Sequence, residues 1–213
     1  MKTTKDGSGF VEVPASKQSI SRRRLFCGVG INDADYIVNP TVNGNRLYCL
    51  FYQRWKVMLQ RCYSEKQKFE RPTYTGCHVS KGWLRFSSFK SWMVEQDWEG
   101  KELDKDILVQ GNKVYGPETC FFVTSQVNAL LTDAKAKRGK WPIGVNFDAK
   151  IGKFRSRCRN GEGVQKTIGL YTTPEEAYEA YKTFKYKHIA EVAATQKEPL
   201  RSALLAYKIE GDI

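Results

Sequence analysis

The sequence predicts an α+β protein: a helical N-terminal domain containing a β–β–α unit, then a three-stranded antiparallel sheet packed on one helix. Three observations lead to this prediction. Aromatic residues recur at helical spacing near residue 50, a strand–strand–helix pattern covers residues 103–131, and cations alternate along a strand near residue 155. Helical patterns repeat every three or four residues and strand patterns every second residue, so the two kinds of element can be told apart.

Composition and charge fit a globular chain with a polyanionic partner. Hydrophobic residues make up 41% of the 213 residues, and 35 Lys and Arg against 23 Asp and Glu give a formal net charge of +12. Long-range attraction then favours DNA, RNA or an anionic membrane surface. No apolar run reaches the ~18–20 residues needed to span a bilayer, and no secretory signal is evident. We therefore expect a cytoplasmic protein without a membrane partner.

Six cysteines lie far apart along the chain, with no C-x-x-C pair. In a cytoplasmic protein this spacing favours reduced core residues over a disulfide framework or a zinc site.

The N-terminal part of the chain contains two predicted helices. Residues 1–24 are mostly polar and are interpreted as a flexible basic arm. The apolar pattern from Tyr48 to Cys62 predicts an amphipathic helix whose aromatic stripe faces a core. A second helix is expected to start near Ser87-Ser88, which can cap it, and to bury Phe89, Trp92 and Met93.

A β–β–α unit follows, predicted from strand and helix signals. Leu103–Leu108 and Cys120–Val123 are predicted strands separated by a turn-rich loop, and Ser125–Leu131 is a predicted helix. The predicted domains are a basic arm over 1–24, a domain over 25–131 with its core at 103–131, a basic linker over 132–140, a sheet domain over 141–193 and a C-terminal helix and tail over 194–213.

The strongest physical signal is the strand from Lys153 to Arg159. Side chains alternate across a strand, so its four cations are expected on one face and Phe154, Ser156 and Cys158 on the other. The cations are Lys153, Arg155, Arg157 and Arg159. Cations this close repel one another unless they are solvated or matched by a polyanion, so a solvated surface strand is the alternative to a binding face.

The helix expected behind this strand begins at Thr173-Pro174-Glu175-Glu176, where Thr can cap, Pro fits the first turn and the acids suit the positive helix end. Gly161 and Gly163 supply the turn between the second and third strands. A short helix is predicted after Pro199. A sheet with arginines on its free face suits the major groove, since β-ribbons enter it and Arg bonds guanine bidentately.

Landmarks in residues 141–181 closely resemble the APETALA-two/ethylene-response-factor DNA-binding domain. They are Trp141-Pro142-Ile143-Gly144-Val145, Gly152-Lys153-Phe154, Thr167-Ile168-Gly169-Leu170-Tyr171, Thr173-Pro174-Glu175-Glu176-Ala177 and Ala180-Tyr181. The resemblance implies contacts to double-stranded DNA from Lys153, Arg155, Arg157 and Arg159 and from Gln165 and Thr167 on the third strand. The plant domains have Arg and Trp in place of Gln165 and Thr167, so their sequence preference does not carry over.

The β–β–α unit resembles the core of phage HNH homing endonucleases. The resemblance covers four stretches of this unit: Leu103-Asp104-Lys105-Asp106-Ile107, Gly111-Asn112-Lys113, the Pro117–Thr124 run and Asn128. Two upstream segments also resemble that family: the helix that contains Tyr52, Trp55 and Arg61, and the segment from Gly76-Cys77 to Phe89. By this resemblance Asp104 and Asn128 bind a divalent metal, Mg or Mn. Lys105 occupies the position of the general-base histidine, and Thr119 that of the middle asparagine. Asp106 is the alternative base or second metal ligand.

Lysine at the base position leaves catalysis open, because at a pKa of ~10.4 it is a poor base unless desolvated. The chain's only histidines are His78 and His188. The first hypothesis is a metal-dependent DNA endonuclease targeted by the basic sheet, encoded by a phage and active in a bacterial host cell. The second is a non-catalytic DNA-binding regulator with a degenerate HNH site. An RNA-binding module, supported by charge alone, is the third. The sequence leaves the oligomeric state open.

Overall fold

A computed structural model of the chain describes residues 2–3, 9–131, 140–159 and 164–209. It is mixed α+β, as predicted. Contacts divide the chain into two compact units, the first formed by Met1–Asp106 with Gly111–Phe122 and the second by Ile107–Gln110 with Val123–Ile213. The chain therefore passes from the first unit to the second twice.

The first unit combines short strands with four helices and two 3-10 turns in its described residues. Its strands are β1 (Lys2–Thr3), β2 (Val11–Pro14), β3 (Tyr36–Ile37), β4 (Thr41–Val42), β5 (Asn45–Arg46), β6 (His78–Val79), β7 (Glu102–Asp104), β8 (Val114–Tyr115) and β9 (Phe121–Val123), of which the last residue, Val123, belongs to the second unit. Its helices are α1 (Lys17–Ser21), α2 (Leu50–Tyr63), α3 (Glu65–Glu70) and α4 (Phe86–Val94), with 3-10 turns at Pro72–Tyr74 and Lys81–Leu84.

Helix α2 confirms the predicted amphipathic helix and lies at the centre of the first core. Its buried stripe consists of Phe51, Tyr52, Trp55, Met58, Leu59 and Cys62. The indole of Trp55 is fully buried and donates a hydrogen bond of 2.7 Å to the carbonyl of Trp83. A buried indole needs such a partner, so this bond orients α2 against the turn that precedes α4.

Helix α4 starts at Phe86, and its N-terminus is satisfied differently from the prediction. Neither Ser87 nor Ser88 caps it; the carboxylate of Asp33 accepts from the backbone N–H of Ser87 at 2.9 Å and from its hydroxyl at 2.7 Å. These bonds lower the pKa of Asp33 against the opposing effect of its partial burial. The expected core residues Phe89 and Met93 are buried, and Trp92 is partly buried against the same cluster.

The segment 1–24 is not simply a loose arm. Strand β2 pairs antiparallel with β1 and β3, and the guanidinium of Arg23 donates to the carbonyls of Asn32, Ala34 and Tyr36. These bonds join residues 11–23 to the chain around β3. Residues 4–8 lie outside the described part of the chain.

The predicted strand Leu103–Leu108 is wrong in length, because β7 ends at Asp104. The carboxylate of Asp104 accepts from the N–H of Asp106 at 2.7 Å, which turns the chain and directs Lys105 inward. The loop that follows is not entirely irregular either. Its strand β8 pairs in parallel with β6, a pairing between residues 36 positions apart that local signals could not reveal.

The second unit contains α5 (Ser125–Leu131), the strands β10 (Val145–Asp148), β11 (Lys153–Arg159) and β12 (Gln165–Tyr171), and the helices α6 (Pro174–Ala194) and α7 (Leu200–Ala206). The strands form the predicted antiparallel sheet in the order β10-β11-β12, packed on α6. Cys158 on β11 and Tyr181 on α6 belong to the buried cluster between them. The predicted turn glycines Gly161 and Gly163 lie outside the described residues.

Helix α6 begins as its sequence predicts. The hydroxyl of Thr173 accepts from the N–H of Glu176 at 3.2 Å, and the carboxylate of Glu176 accepts from the N–H of Thr173 at 3.2 Å, a complete capping box with Pro174 in the first turn. The hydroxyl of Thr172 also donates to this carboxylate, at 2.8 Å, and together with the backbone N–H groups of Thr173 and Thr172 it lowers the pKa of the Glu176 carboxyl.

Helix α5 belongs to the second unit, whereas the sequence places it with the β–β–α domain. The buried ammonium of Lys185 donates to the carbonyl of Leu130, and the hydroxyl of Tyr207 donates to that of Leu131. Both bonds satisfy carbonyls at the end of α5 that have no partner within the helix. The side chain of Gln110 exchanges two hydrogen bonds with the backbone of Lys208, which ties residues 107–110 to the same unit.

Among the described helices, none has the length and apolar character needed to cross a membrane. All six cysteines are free thiols, of which Cys27 is partly exposed and the other five are buried. The prediction of reduced core cysteines is confirmed for those five.

Candidate nucleic-acid interface

Strand β11 separates its cations from its small and sulfur-containing side chains, as alternation predicts. Ser156 and Cys158 are buried at 0% and 3% exposure on the side that α6 covers. Lys153, Arg155, Arg157 and Arg159 alternate with them and lie on the opposite, free face. The facing prediction is therefore confirmed for this strand.

The third strand adds the two polar residues that the resemblance implies. Arg157 is the cross-strand partner of Thr167, and Arg159 that of Gln165, so all four side chains share the free face. Between Ser156 and Arg157 the register shifts, and Ile168 is the extra residue on β12. Ile168 packs into the cluster beneath the sheet. Such a bulge increases local twist and re-aims the side chains beside it.

Sequence reasoning missed three residues that lie on the same face. Asn146 pairs with Arg155 and Asp148 with Lys153 across β10, while Leu170 on β12 pairs with Arg155 from the other side. Leu170 is 46% exposed. The signal was present in the sequence, because Asn146 and Asp148 alternate along β10 as the cations do along β11.

A carboxylate therefore lies within the cationic face. Asp148 forms an ion pair with Nη2 of Arg155, and its other oxygen accepts from the N–H of Lys150 at 3.1 Å. In the ranges that the structure describes, no carboxylate pairs with Lys153, Arg157 or Arg159. These three cations remain available for an external anion.

The second predicted site, in the β–β–α region, is organised around Lys105. This side chain is 4% exposed, and its ammonium donates to both carboxylate oxygens of Asp106, at 2.6 Å and 2.7 Å, and to the carbonyl of Asn112 at 2.7 Å. Asn112 in turn donates to the carbonyls of Lys105 and Val114. The network fastens the loop between β7 and β8.

The other predicted catalytic residues are held by structural contacts. The hydroxyl of Thr119 donates to the carbonyl of Val114 at 2.8 Å, and the carboxylate of Asp104 closes the turn at Asp106. Asp104 lies in the first compact unit and Asn128 in the second. The predicted metal ligands are thus on different units, while Asp104, Lys105, Asp106 and Thr119 share one.

The donors of the first unit fit a divalent metal only in part. Asp104 offers a carboxylate, but both oxygens of Asp106 accept from Lys105 and the nearby ammonium repels a cation. Within the described residues, no group of three or more His, Cys, Asp or Glu side chains could hold a metal ion. A magnesium ion can be held by one or two carboxylates plus substrate phosphates, so the Mg or Mn site at Asp104 stays a prediction.

Neither histidine takes the place of the missing base within the contacts described. His78 is exposed on β6, where its backbone N–H bonds the carbonyl of Lys113. His188 lies on α6 with Nδ1 3.5 Å from the carboxylate of Glu191. Nearby thiols are poor nucleophiles, since burial raises the pKa of Cys62 and of Cys120 to about 12.

The two candidate sites differ in what they can do. The sheet presents cations outward with few internal partners, whereas the polar groups of the Lys105 network bond one another.

Comparisons of the chain with protein-family models, with curated proteins and with solved structures found no match.

Proposed function

We propose that the protein binds double-stranded DNA through the free face of the sheet β10-β11-β12. One observation carries the proposal: Lys153, Arg157 and Arg159 share the face opposite α6, and no described carboxylate pairs with them. Like charges so placed repel one another, and a row of phosphates removes that repulsion. Residues 135–159 add to the field, with nine Lys and Arg against one Asp.

The cationic strand is long enough to reach several phosphates of a duplex. Lys153 and Arg159 are six residues apart on one strand, which corresponds to about 20 Å at ~3.3 Å per residue. A duplex presents a phosphate about every 3.4 Å along each strand, so several phosphates come within reach of the face. Gln165, Thr167 and Leu170 lie between the cations, where hydrogen bonds and apolar contacts to base edges can form.

Cleavage of the bound DNA is not required for this function. The resemblance to HNH nucleases predicts it, but the side chain at the position of the base, Lys105, is used within the fold. Its ammonium donates hydrogen bonds to both carboxylate oxygens of Asp106 and to the carbonyl of Asn112. The function supported best is therefore DNA binding, and the nuclease hypothesis needs its own test.

Salt dependence of binding tests the proposal directly. Fluorescence anisotropy of a labelled duplex is measured with the full-length protein at increasing salt concentrations. Three phosphate contacts predict that the logarithm of the association constant falls with log salt with a slope of about −2.7, at −0.9 per contact. An affinity that hardly changes with salt would contradict the proposal.

Two variants on the same sheet, each lacking one positive charge, distinguish the effect of charge on the free face from the effect of the protein's total charge. Arg157→Ala removes a cation from the free face, and Lys166→Ala removes one from the partner position of Cys158, on the side of α6. We expect Arg157→Ala to weaken binding and to reduce the slope by about 0.9, and Lys166→Ala to change both much less. Equal effects of the two variants would show that the face is not the binding surface.

A further inference from the structure

We propose that the ion pair between Asp148 and Arg155 is the base-reading element of the sheet, and that it selects guanine in duplex DNA. The inference rests on the proposed function, because it assigns a task to two residues within the same face. Phosphate contacts supply affinity without sequence information, so specificity must come from groups that are positioned over base edges.

Asp148 is fixed at both carboxylate oxygens. One accepts from the backbone N–H of Lys150 at 3.1 Å, and the other pairs with Nη2 of Arg155. The turn itself is closed by the N–H of Ile151, which bonds the carbonyl of Asp148 at 3.3 Å. The carboxylate is thus anchored to the β10-β11 turn, and the guanidinium of Arg155 is anchored to it.

The pair is more covered than the cations at the two ends of β11. The side chains of Asp148 and Arg155 are 18% and 26% exposed, whereas Lys153 and Arg159 at the two ends of β11 are exposed. Asn146 and Leu170 flank Arg155 on the neighbouring strands. A guanidinium held in this way loses little side-chain entropy when it binds DNA, and it is not free to move towards a phosphate.

A carboxylate on a phosphate-binding surface is unfavourable unless it lies away from the phosphates. Asp148 repels the DNA backbone, so its pairing with Arg155 on the central strand β11 suits the groove floor rather than the groove walls. There an aspartate can accept from the amino group of cytosine, and Arg bonds O6 and N7 of guanine bidentately. The two side chains match the guanine and the cytosine of one G·C base pair, or of two adjacent G·C base pairs.

The experiment uses full-length protein and a library of duplexes with a random core of about one helical turn, ~10 base pairs. Bound duplexes are sequenced, and affinity is then measured for a selected duplex, the same duplex with its enriched guanine replaced, and a scrambled duplex. The ratio of the first two affinities is the guanine preference. Thermal melting verifies that each variant is folded.

Three variants are compared with the wild-type protein. Arg155→Lys keeps the charge and loses the planar fork, Asp148→Asn removes the anchor, and Glu179→Gln removes one negative charge from the exposed part of α6. We expect Arg155→Lys to reduce the guanine preference by about 5- to 150-fold, the range of one bidentate contact. Asp148→Asn should reduce it by a smaller factor while binding to scrambled DNA tightens. Glu179→Gln should leave the preference unchanged.

The outcomes separate the inference from the proposed function. If no duplex binds with salt dependence, the proposed function fails and the inference with it. If the wild-type protein binds without preferring guanine, or either Asp148→Asn or Arg155→Lys keeps the wild-type preference, the inference is wrong while DNA binding stands. If Asp148→Asn melts below the assay temperature, Arg155→Lys alone decides.

Discussion

The ammonium of Lys105 lies 2.6 Å and 2.7 Å from the two carboxylate oxygens of Asp106, its neighbour in the chain. A third bond reaches the carbonyl of Asn112 at 2.7 Å. Lysine has three N–H donors and no acceptor, so all its hydrogen-bonding capacity is used. At the position that the resemblance to HNH nucleases assigns to the base, this chain has a structural crosslink.

This crosslink leads to the first prediction, on cleavage. Supercoiled plasmid is incubated with the protein in Mg²⁺ or Mn²⁺, beside the variants Asp104→Ala and Lys105→Met. We expect Lys105→Met to lower the free energy of unfolding by about 1–3 kcal/mol, since the carbonyl of Asn112 loses its buried partner, without abolishing any nicking. Nicking that disappears in Asp104→Ala but persists in Lys105→Met would establish metal-dependent cleavage with a different base.

Nicking lost in Lys105→Met, with that variant still folded and still binding DNA, would contradict the structural role of Lys105. Retention of DNA without cutting in either metal would favour a binding protein that keeps part of the nuclease fold.

Ser156 and Arg157 are adjacent on β11 but face opposite sides, and the second prediction compares them. The hydroxyl of Ser156 is fully buried and lacks a hydrogen-bond partner among the described residues. Ser156→Ala should therefore leave DNA affinity unchanged and stabilise the fold by about 1 kcal/mol, measured by urea unfolding. Arg157→Ala should cost on the order of 1–3 kcal/mol of binding if it contacts a base. Similar losses of affinity from both variants would refute the facing assignment.

The third prediction concerns Gly144, which precedes β10 with φ of +77°. A Cβ at this position would lie 2.1 Å from Cδ2 of Tyr181 on α6, so the sheet could not keep its distance from the helix. Gly144→Ala should destabilise by about 1–3 kcal/mol from overpacking, in addition to ~1–2 kcal/mol for the left-handed backbone. Gly152→Ala is the matched control, because φ is +62° there but no atom lies within 4 Å of the Cβ. Equal melting temperatures for the two variants would contradict the close packing.

The fourth prediction is a loss of stability in alkali. Burial raises the pKa of Cys62 and Cys120 from an ordinary 9.0 to about 12, and it also raises the pKa of Tyr115. Above pH 9 the unfolded thiols release protons that the folded ones keep, so the free energy of unfolding falls as pH rises from 9 towards 12. Urea midpoints at rising pH measure this, and Cys62→Ala should reduce the slope. A constant midpoint across this interval would contradict the burial of the thiols as neutral groups.

Local signals predicted those parts of the fold whose causes are close in sequence. The capping box of Thr173 and Glu176 spans three residues, and the alternation along β11 is a property of a single strand, so both could be read directly. The same alternation in β10 would have revealed Asp148 on the free face. The prediction followed the cations of β11 alone, and a single carboxylate on a neighbouring strand has no charge pattern of its own.

The parts that were mispredicted depend on distant partners. Ser87 is bonded by Asp33, which is 54 residues away, and β8 pairs with β6 rather than with a neighbour in the chain. The end of β7 is set by the turn at Asp104 and by the inward Lys105, whose partner Asn112 lies on the far side of the loop. A side chain that is polar in sequence gives no sign that it will be buried until its acceptors are known.

The cap that Lys185 places on the end of α5 has a consequence for the order of events during synthesis. Leu130 leaves the ribosome more than fifty residues before its partner on α6, and Lys208, which pairs with Gln110, follows later still. The side-chain bonds that satisfy the last carbonyls of α5 therefore form only after Lys185 and Tyr207 have been synthesised. A fragment that starts at residue 140 would contain the sheet and α6 but would lack the carbonyl of Leu130 that accepts from Lys185, so the smallest piece expected to fold by itself begins before α5.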